Sequence, residues 1–135
     1  MALQFSTTVR NARLDAIETA IGTSAILKIR SGAAPANCGT ADSGTVLATL
    51  NLPSDYMANA ASGAKAKSGT WDDNSADAGG TAGHFRIYAS DGTTCHMQGN
   101  ITATGGGGSM ELDNTVLAAG QQFTITAFGL TDGNA

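Results

Sequence analysis

Between Gly83 and Gly99 apolar and polar residues alternate on both sides of a Ser90-Asp91-Gly92 turn, which predicts a β-hairpin with a definite register. With Gly92 in the left-handed position of a three-residue loop, Ala89 pairs with Thr93, Ile87 with Cys95 and Phe85 with Met97. Phe85, Ile87, Ala89, Cys95 and Met97 then share one face, and His84, Arg86, Tyr88, Thr94, His96 and Gln98 share the other. A two-residue loop on Asp91-Gly92 would set Phe85 against Gln98 and Ile87 against His96, mixing apolar with polar on both faces. The first register is therefore expected.

Helical spacing precedes the strands. Val9, Leu14, Ile17 and Ile21 form a stripe that Ala12, Ala16 and Ala20 widen, so Thr7 to Gly22 reads as one amphipathic helix of about four turns. Ser6, Thr7 or Thr8 caps its start, and Gly22 stands where a left-handed C-terminal cap belongs. Arg10, Arg13, Asp15 and Glu18 fall on the polar side. Two roles are open for this helix: covering the sheet of its own chain, or docking on a neighbour.

Strands follow at Ala25 to Arg30, at Val46 to Leu52 (stopped by Pro53), and at Ala64 to Trp71. The hairpin supplies two more, and the polar DDNSADAGGTAG before it reads as an exposed loop. Ile101 to Thr104 leads to four glycines, Gly105 to Gly108, which look like low complexity and read as a flexible tip or a tight bend beside a neighbouring backbone. Short strands are expected at Ser109 to Asp113 and Thr115 to Leu117, and a last one at Gln122 to Leu130. The expectation is a mainly β protein, an antiparallel β-sandwich or small barrel with one N-terminal amphipathic helix. It is one domain over residues 1–135, with an arm and helix over 1–22 and a β domain over 25–135.

Composition narrows the function classes. Charged residues make up 13% of the chain, against about 25% in ordinary soluble domains, so small neutral side chains form much of the surface. That suits either a hydroxyl-rich sheet or a chain packed against neighbours. A net charge of −4 with seven scattered Lys and Arg argues against a nucleic-acid partner. Lys65 and Lys67 alternate with alanines and read as a solvated strand face or a lysine-guarded edge. No apolar run is long enough to span a membrane, and the N-terminal stretch lacks the basic-then-apolar order of a signal peptide. Synthesis in a cytoplasm, with no membrane partner, is expected.

Candidate chemistry is sparse. The glycine tract lacks the Lys-Ser or Lys-Thr that a phosphate-binding loop needs. His84, His96, Cys38 and Cys95 are metal-ligand types without ligand spacing, although His84 and His96 share a face and a two-histidine site between subunits is one reading. Cys38 and Cys95 can form one disulfide, which a reducing compartment disfavours; Cys95 otherwise reads as a small buried hydrophobe on the apolar hairpin face. No Gly-x-Ser-x-Gly elbow occurs, and Asp72 and Asp73 fit a turn better than a carboxylate pair. Trp71 and Tyr88, with those two aspartates, are the candidates for a carbohydrate-binding module or small glycan hydrolase. No catalytic residue, metal or cofactor is expected.

Most of the chain resembles small structural proteins of tailed bacteriophages. The resemblance is carried by TVRNARLDAIETAIG, SGAAPANCGTADSGTVLATLNLPSDYM, KAKSGTW, GHFRIYASDGTTCHMQG and MELDNTVLAAGQQFTITAFGLTDGNA. It implies a non-enzymatic virion component, made in the host bacterial cytoplasm and resident in the virion. Within that class the expectation is a capsid decoration or cement protein that forms trimers and binds the major capsid protein. A tail, baseplate or fibre component, bound to other tail proteins, is the alternative. The residues expected at its interfaces are Phe5, Val9 and Leu14 in the N-terminal segment, and Arg86, Tyr88 and His96 on the open hairpin face.

Overall fold

The computed structural model describes residues 2–134. Helix α1 (Thr7–Ile21) is followed by β1 (Ile26–Ser31), β2 (Val46–Asn51), β3 (Ala64–Ala66), β4 (Trp71–Asp73) and β5 (Gly80–Tyr88). Then come β6 (Cys95–Ala103), β7 (Met110–Leu112), β8 (Val116–Leu117) and β9 (Phe123–Thr131). The strands form one open sheet in the order β2-β1-β5-β6-β7-β9-β3, with β4 also on β9 and β8 also on β5. The protein is thus mainly β, as expected, but the expected sandwich or closed barrel is replaced by a single sheet. Its pairings are antiparallel except β6 with β7.

That parallel pair explains the glycine tract. Ile101 lies beside Met110 and Ala103 beside Leu112, so the chain must double back within residues 104–109 to start β7 alongside the end of β6. Parallel neighbours ordinarily need a crossover of about a dozen residues. Here the return is tight enough that a Cβ at Gly106 or Gly108 would come within 2.7 or 2.9 Å of the Thr102 side chain. Glu111 accepts from Gly105 N–H and Gly107 N–H, both at 3.0 Å, and Thr102 Oγ1 accepts from Gly108 N–H at 3.0 Å. The tract is a tight bend, one of the two roles expected of it, and it forms an ordered crossover.

The hairpin keeps its two faces but not its register. Ala89 N–H donates to Thr94 O at 3.0 Å, so the loop has four residues, and Gly92 is left-handed at φ 68°. Tyr88 sits opposite Cys95 while Ile87 sits opposite Met97, which leaves His96 as the extra residue of a bulge. The longer loop shifts the register by one residue and the bulge by one more. Phe85 and Ile87 therefore stay in phase with Gly99 and Met97, whereas Cys95 moves beside Tyr88 and off the apolar side. A second bulge in β2, at Leu47, lets the adjacent Leu47 and Ala48 both be buried.

On the apolar side Leu27, Ile29, Leu47, Ile87, Met110, Leu112, Phe123 and Ile125 are fully or almost fully covered. Each such side chain contributes about 1.5–3 kcal/mol by leaving water. Trp71 packs 5.3 Å from Phe128, which meets Phe85 edge-on at 5.6 Å, so the short strand β4 and the long strands β5 and β9 close on one aromatic cluster. The Asp77 N–H to Leu47 O bond, 2.8 Å, ties the segment after β4 to β2.

Helix α1 begins where Ser6 accepts from Val9 N–H at 3.3 Å, and it ends at Gly22, φ 93°, whose N–H reaches Glu18 O at 2.9 Å. It covers its own sheet at the terminal strand β3. Only Leu14, Ile17 and Ile21 of the expected stripe turn inward; Val9, Ala12, Ala16 and Ala20 are exposed. The docking is mostly polar. Lys65, expected on a solvated face or guarding an edge, does lie on the end strand of the sheet but is 2% exposed, with Nζ 2.7 Å from Asp15, 2.9 Å from Glu18 and 3.0 Å from Ala58 O. Asn11 accepts from Gly63 N–H and Arg10 donates to Asp132 O. A charged buried end strand under a helix is a poor template for pairing with another chain.

Candidate interaction surface

The arm before α1 is ordered through its backbone. Phe5 N–H donates to Asn134 Oδ1 at 2.8 Å, and Asn134 Nδ2 donates back to Phe5 O at 3.1 Å, so the two ends of the described chain lie side by side. Arg13 stacks over the Phe5 ring at 5.0 Å and reaches Asp132 at 3.2 Å. With the arm held at the Phe5 backbone, apolar side chains remain in the open: Leu3 is 76% exposed and Phe5 38% on the arm, and Val9 is 42% exposed on the first turn of α1. Leu3 was not singled out from the sequence, and its signal would have been an apolar residue ahead of the helix cap.

Leu14 is not part of this surface; it is buried beneath α1. Arg86 and Tyr88 also depart from expectation. Both are buried, because residues 32–45 fold over the side of the sheet that the alternation left open. Arg86 donates to Asp42 Oδ1 (2.6 Å), Gln98 Oε1 (3.0 Å from Nε), Asn37 O (2.9 Å) and Thr40 O (3.0 Å). The Tyr88 hydroxyl donates to the same Asp42 oxygen, and Arg30 holds the other carboxylate oxygen at 2.6 Å. Burial alone would raise the Asp42 pKa, but hydrogen bonds from Tyr88 and Arg86 hold it below its usual value. Burial raises the Tyr88 phenol. This network is structural. Of the three hairpin residues only His96, on the bulge, stays exposed.

The other sequence candidates are dispersed. His84 is buried with Nδ1 2.8 Å from Gly32 O, so it shares no open face with His96. Trp71 is 1% exposed and its indole N–H donates to Ser68 O at 3.2 Å; with Tyr88 also covered, neither ring offers a sugar a stacking face. Asp72 is exposed on β4, and Asp73 accepts from Ser75 N–H in a turn. Among the described residues no three His, Cys, Asp or Glu side chains gather as metal ligands would, and no helix is long and apolar enough to cross a membrane. A cleft of about 430 Å³ lies between α1 and the residues around Ser54 and Asn59, but its buried charge, Lys65, is already committed to Asp15 and Glu18.

Cys38 and Cys95 are brought together. Cys38 lies in the covering loop and Cys95 beside Tyr88, both half-buried, with their sulfurs 2.7 Å apart. Comparison with protein-family models, with curated proteins and with solved structures finds no match for this chain.

Proposed function

We propose that the chain is a non-enzymatic virion protein that decorates the head of a tailed bacteriophage, and that its N-terminal arm is the part that grips the shell. The observation carrying this reading is the exposed trio of Leu3 and Phe5 on the arm and Val9 on the first turn of α1, with the arm tied to Asn134 through the Phe5 backbone. Apolar side chains presented from an ordered backbone bury area on a partner at little entropic cost. The sequence resemblance supplies the class of partner, the major capsid protein, and self-association into trimers around the lattice axes. His96 is a further exposed contact candidate. A surface low in charge supports close packing among many copies.

Electron microscopy of particles of the phage that encodes the chain, with their protein composition, tests the proposal. Density for this 13.5 kDa chain at the local threefold or sixfold positions of the head is the expected result. Density confined to the tail overturns the head assignment in favour of a tail, baseplate or fibre part. Absence from the particle overturns the virion reading altogether.

A further inference from the structure

We propose that Cys38 and Cys95 form an intramolecular disulfide that clamps the 32–45 loop onto β6 once the protein meets an oxidising medium. The two free thiols lie 57 residues apart in sequence, yet their sulfurs are 2.7 Å apart. Both backbones are positioned independently of the sulfurs. Asn37 O and Thr40 O, on either side of Cys38, each accept from the Arg86 guanidinium, at 2.9 and 3.0 Å. Cys95 is held opposite Tyr88 in the β5–β6 ladder. Bond formation thus asks the two sulfurs to close from 2.7 Å to about 2.05 Å between backbones already held in place.

The oxidant required is a low-molecular-weight disulfide such as glutathione disulfide. One protein thiolate attacks it, forming a mixed disulfide and expelling one glutathione thiolate. The second protein thiolate then attacks the protein sulfur of that mixed disulfide, closing the Cys38–Cys95 bond and expelling the second glutathione thiolate. Two protein thiols are oxidised, one glutathione disulfide is reduced to two glutathiones, and the two thiol protons end on the glutathione sulfurs. Burial, with the neighbouring Cys38 sulfur, pushes the Cys95 thiol above its usual range, so its thiolate is scarce at neutral pH and closure speeds up in alkaline buffer. In a reducing cytoplasm the pair stays as thiols, and release from the cell supplies the change of medium. This inference does not depend on the virion assignment.

The test uses the full chain purified under reduction, incubated with glutathione disulfide, then alkylated in denaturant and weighed intact. Expected are the loss of two hydrogen masses, no alkylated cysteine, and a Cys38–Cys95 cross-linked peptide after digestion. The oxidised protein melts about 10 °C above the reduced one, and that difference disappears in Cys38→Ser. Two alkylated cysteines, glutathione adducts that persist, or a disulfide-linked dimer would each overturn the proposal.

Discussion

Asp42 Oδ1 lies 2.6 Å from Arg86 Nη1, and this contact anchors the covering loop to the middle of the sheet. Arg86 is 2% exposed, so the carboxylate across from it is the charge that makes its burial tolerable. The same aspartate also faces Arg30, whose side chain is 8% exposed. Replacing it with the isosteric neutral amide leaves two covered guanidinium groups short of a counter-charge. Because the Asp42 side chain is itself 36% exposed and partly screened by water, Asp42→Asn should lower unfolding stability by about 1–3 kcal/mol, read as a drop in the urea midpoint at unchanged slope.

The two buried tyrosines provide a matched comparison. Tyr88 donates to Asp42 at 2.7 Å, whereas the Tyr56 hydroxyl is buried with no hydrogen-bond partner among the described residues. A hydrogen bond to a charged acceptor contributes about 1.5–3 kcal/mol, while removing an unsatisfied buried hydroxyl costs nothing. Tyr88→Phe should therefore destabilise by about 2 kcal/mol, and Tyr56→Phe should leave the melting temperature unchanged or raise it. Calorimetry of the two variants beside the parent checks both.

Stability should form a plateau bounded on both sides of neutrality. Asp42 titrates below its usual value as argued above; Lys65 and Ala60 N–H lower Asp15, and Gly105 and Gly107 N–H lower Glu111. Groups with depressed folded pKa values stabilise above their unfolded values, and that contribution is lost as pH falls below about 4. On the alkaline side burial pushes Tyr56 up to about 12 and also raises Tyr88. Burial opposes the charge on Lys65, but its hydrogen bonds to Asp15 and Glu18 leave it raised overall. Groups with raised folded values stabilise below their unfolded values, so stability falls again above about pH 10. Melting temperatures measured across the pH range should show both declines, with the flat region between them.

Much of the architecture was legible because period and punctuation act locally. Ser6 is the one of three candidate caps that starts α1, Gly22 ends it with a positive φ of 93° but an extended ψ of −179° in place of the expected left-handed cap, and the inward positions of β1 follow from alternation alone. What alternation cannot carry is what lies on top of a polar face. His84, Arg86 and Tyr88 look solvated in sequence because their partners, Gly32, Asn37, Thr40 and Asp42, come from a loop about 50 residues earlier. Lys65 misleads in the same way, since Asp15 and Glu18 reach it from the helix. The bulge at His96 is equally invisible, because a shift of two residues preserves the face pattern on which the register was judged. Of the interface candidates, Phe5, Val9 and His96 are exposed, and Leu14, Arg86 and Tyr88 serve the interior.

The crossover between β6 and β7 makes a local prediction. Gly106 has no room for a side chain beside Thr102, whereas Gly107 has open space but a left-handed backbone at φ 78°. Gly106→Ala should cost about 1–3 kcal/mol through overpacking, and Gly107→Ala about 1 kcal/mol through backbone strain alone. Replacing each with asparagine separates the causes, because asparagine tolerates the left-handed backbone at 107 better than alanine does, while at 106 it adds volume beside Thr102. Chemical denaturation of the four variants gives the comparison.

The arm variants separate binding from folding. Leu3 and Phe5 expose their side chains while the arm's hydrogen bonds to Asn134 run through the Phe5 backbone, which a substitution leaves in place. Phe5→Ser removes the ring beneath Arg13, an exposed contact of about 0.5–1 kcal/mol, and Leu3→Ser removes almost nothing from the fold. The double variant should therefore melt within a few degrees of the parent. On a capsid the same side chains would lie under a partner, where truncating a central apolar anchor costs upwards of 2 kcal/mol, and two such losses reduce affinity by about a thousandfold. Sedimentation of the variant with heads stripped of the native protein, at concentrations that saturate the parent, should leave it in the supernatant. Undiminished co-sedimentation would place the gripping surface elsewhere, with His96 on the hairpin bulge the next position to change.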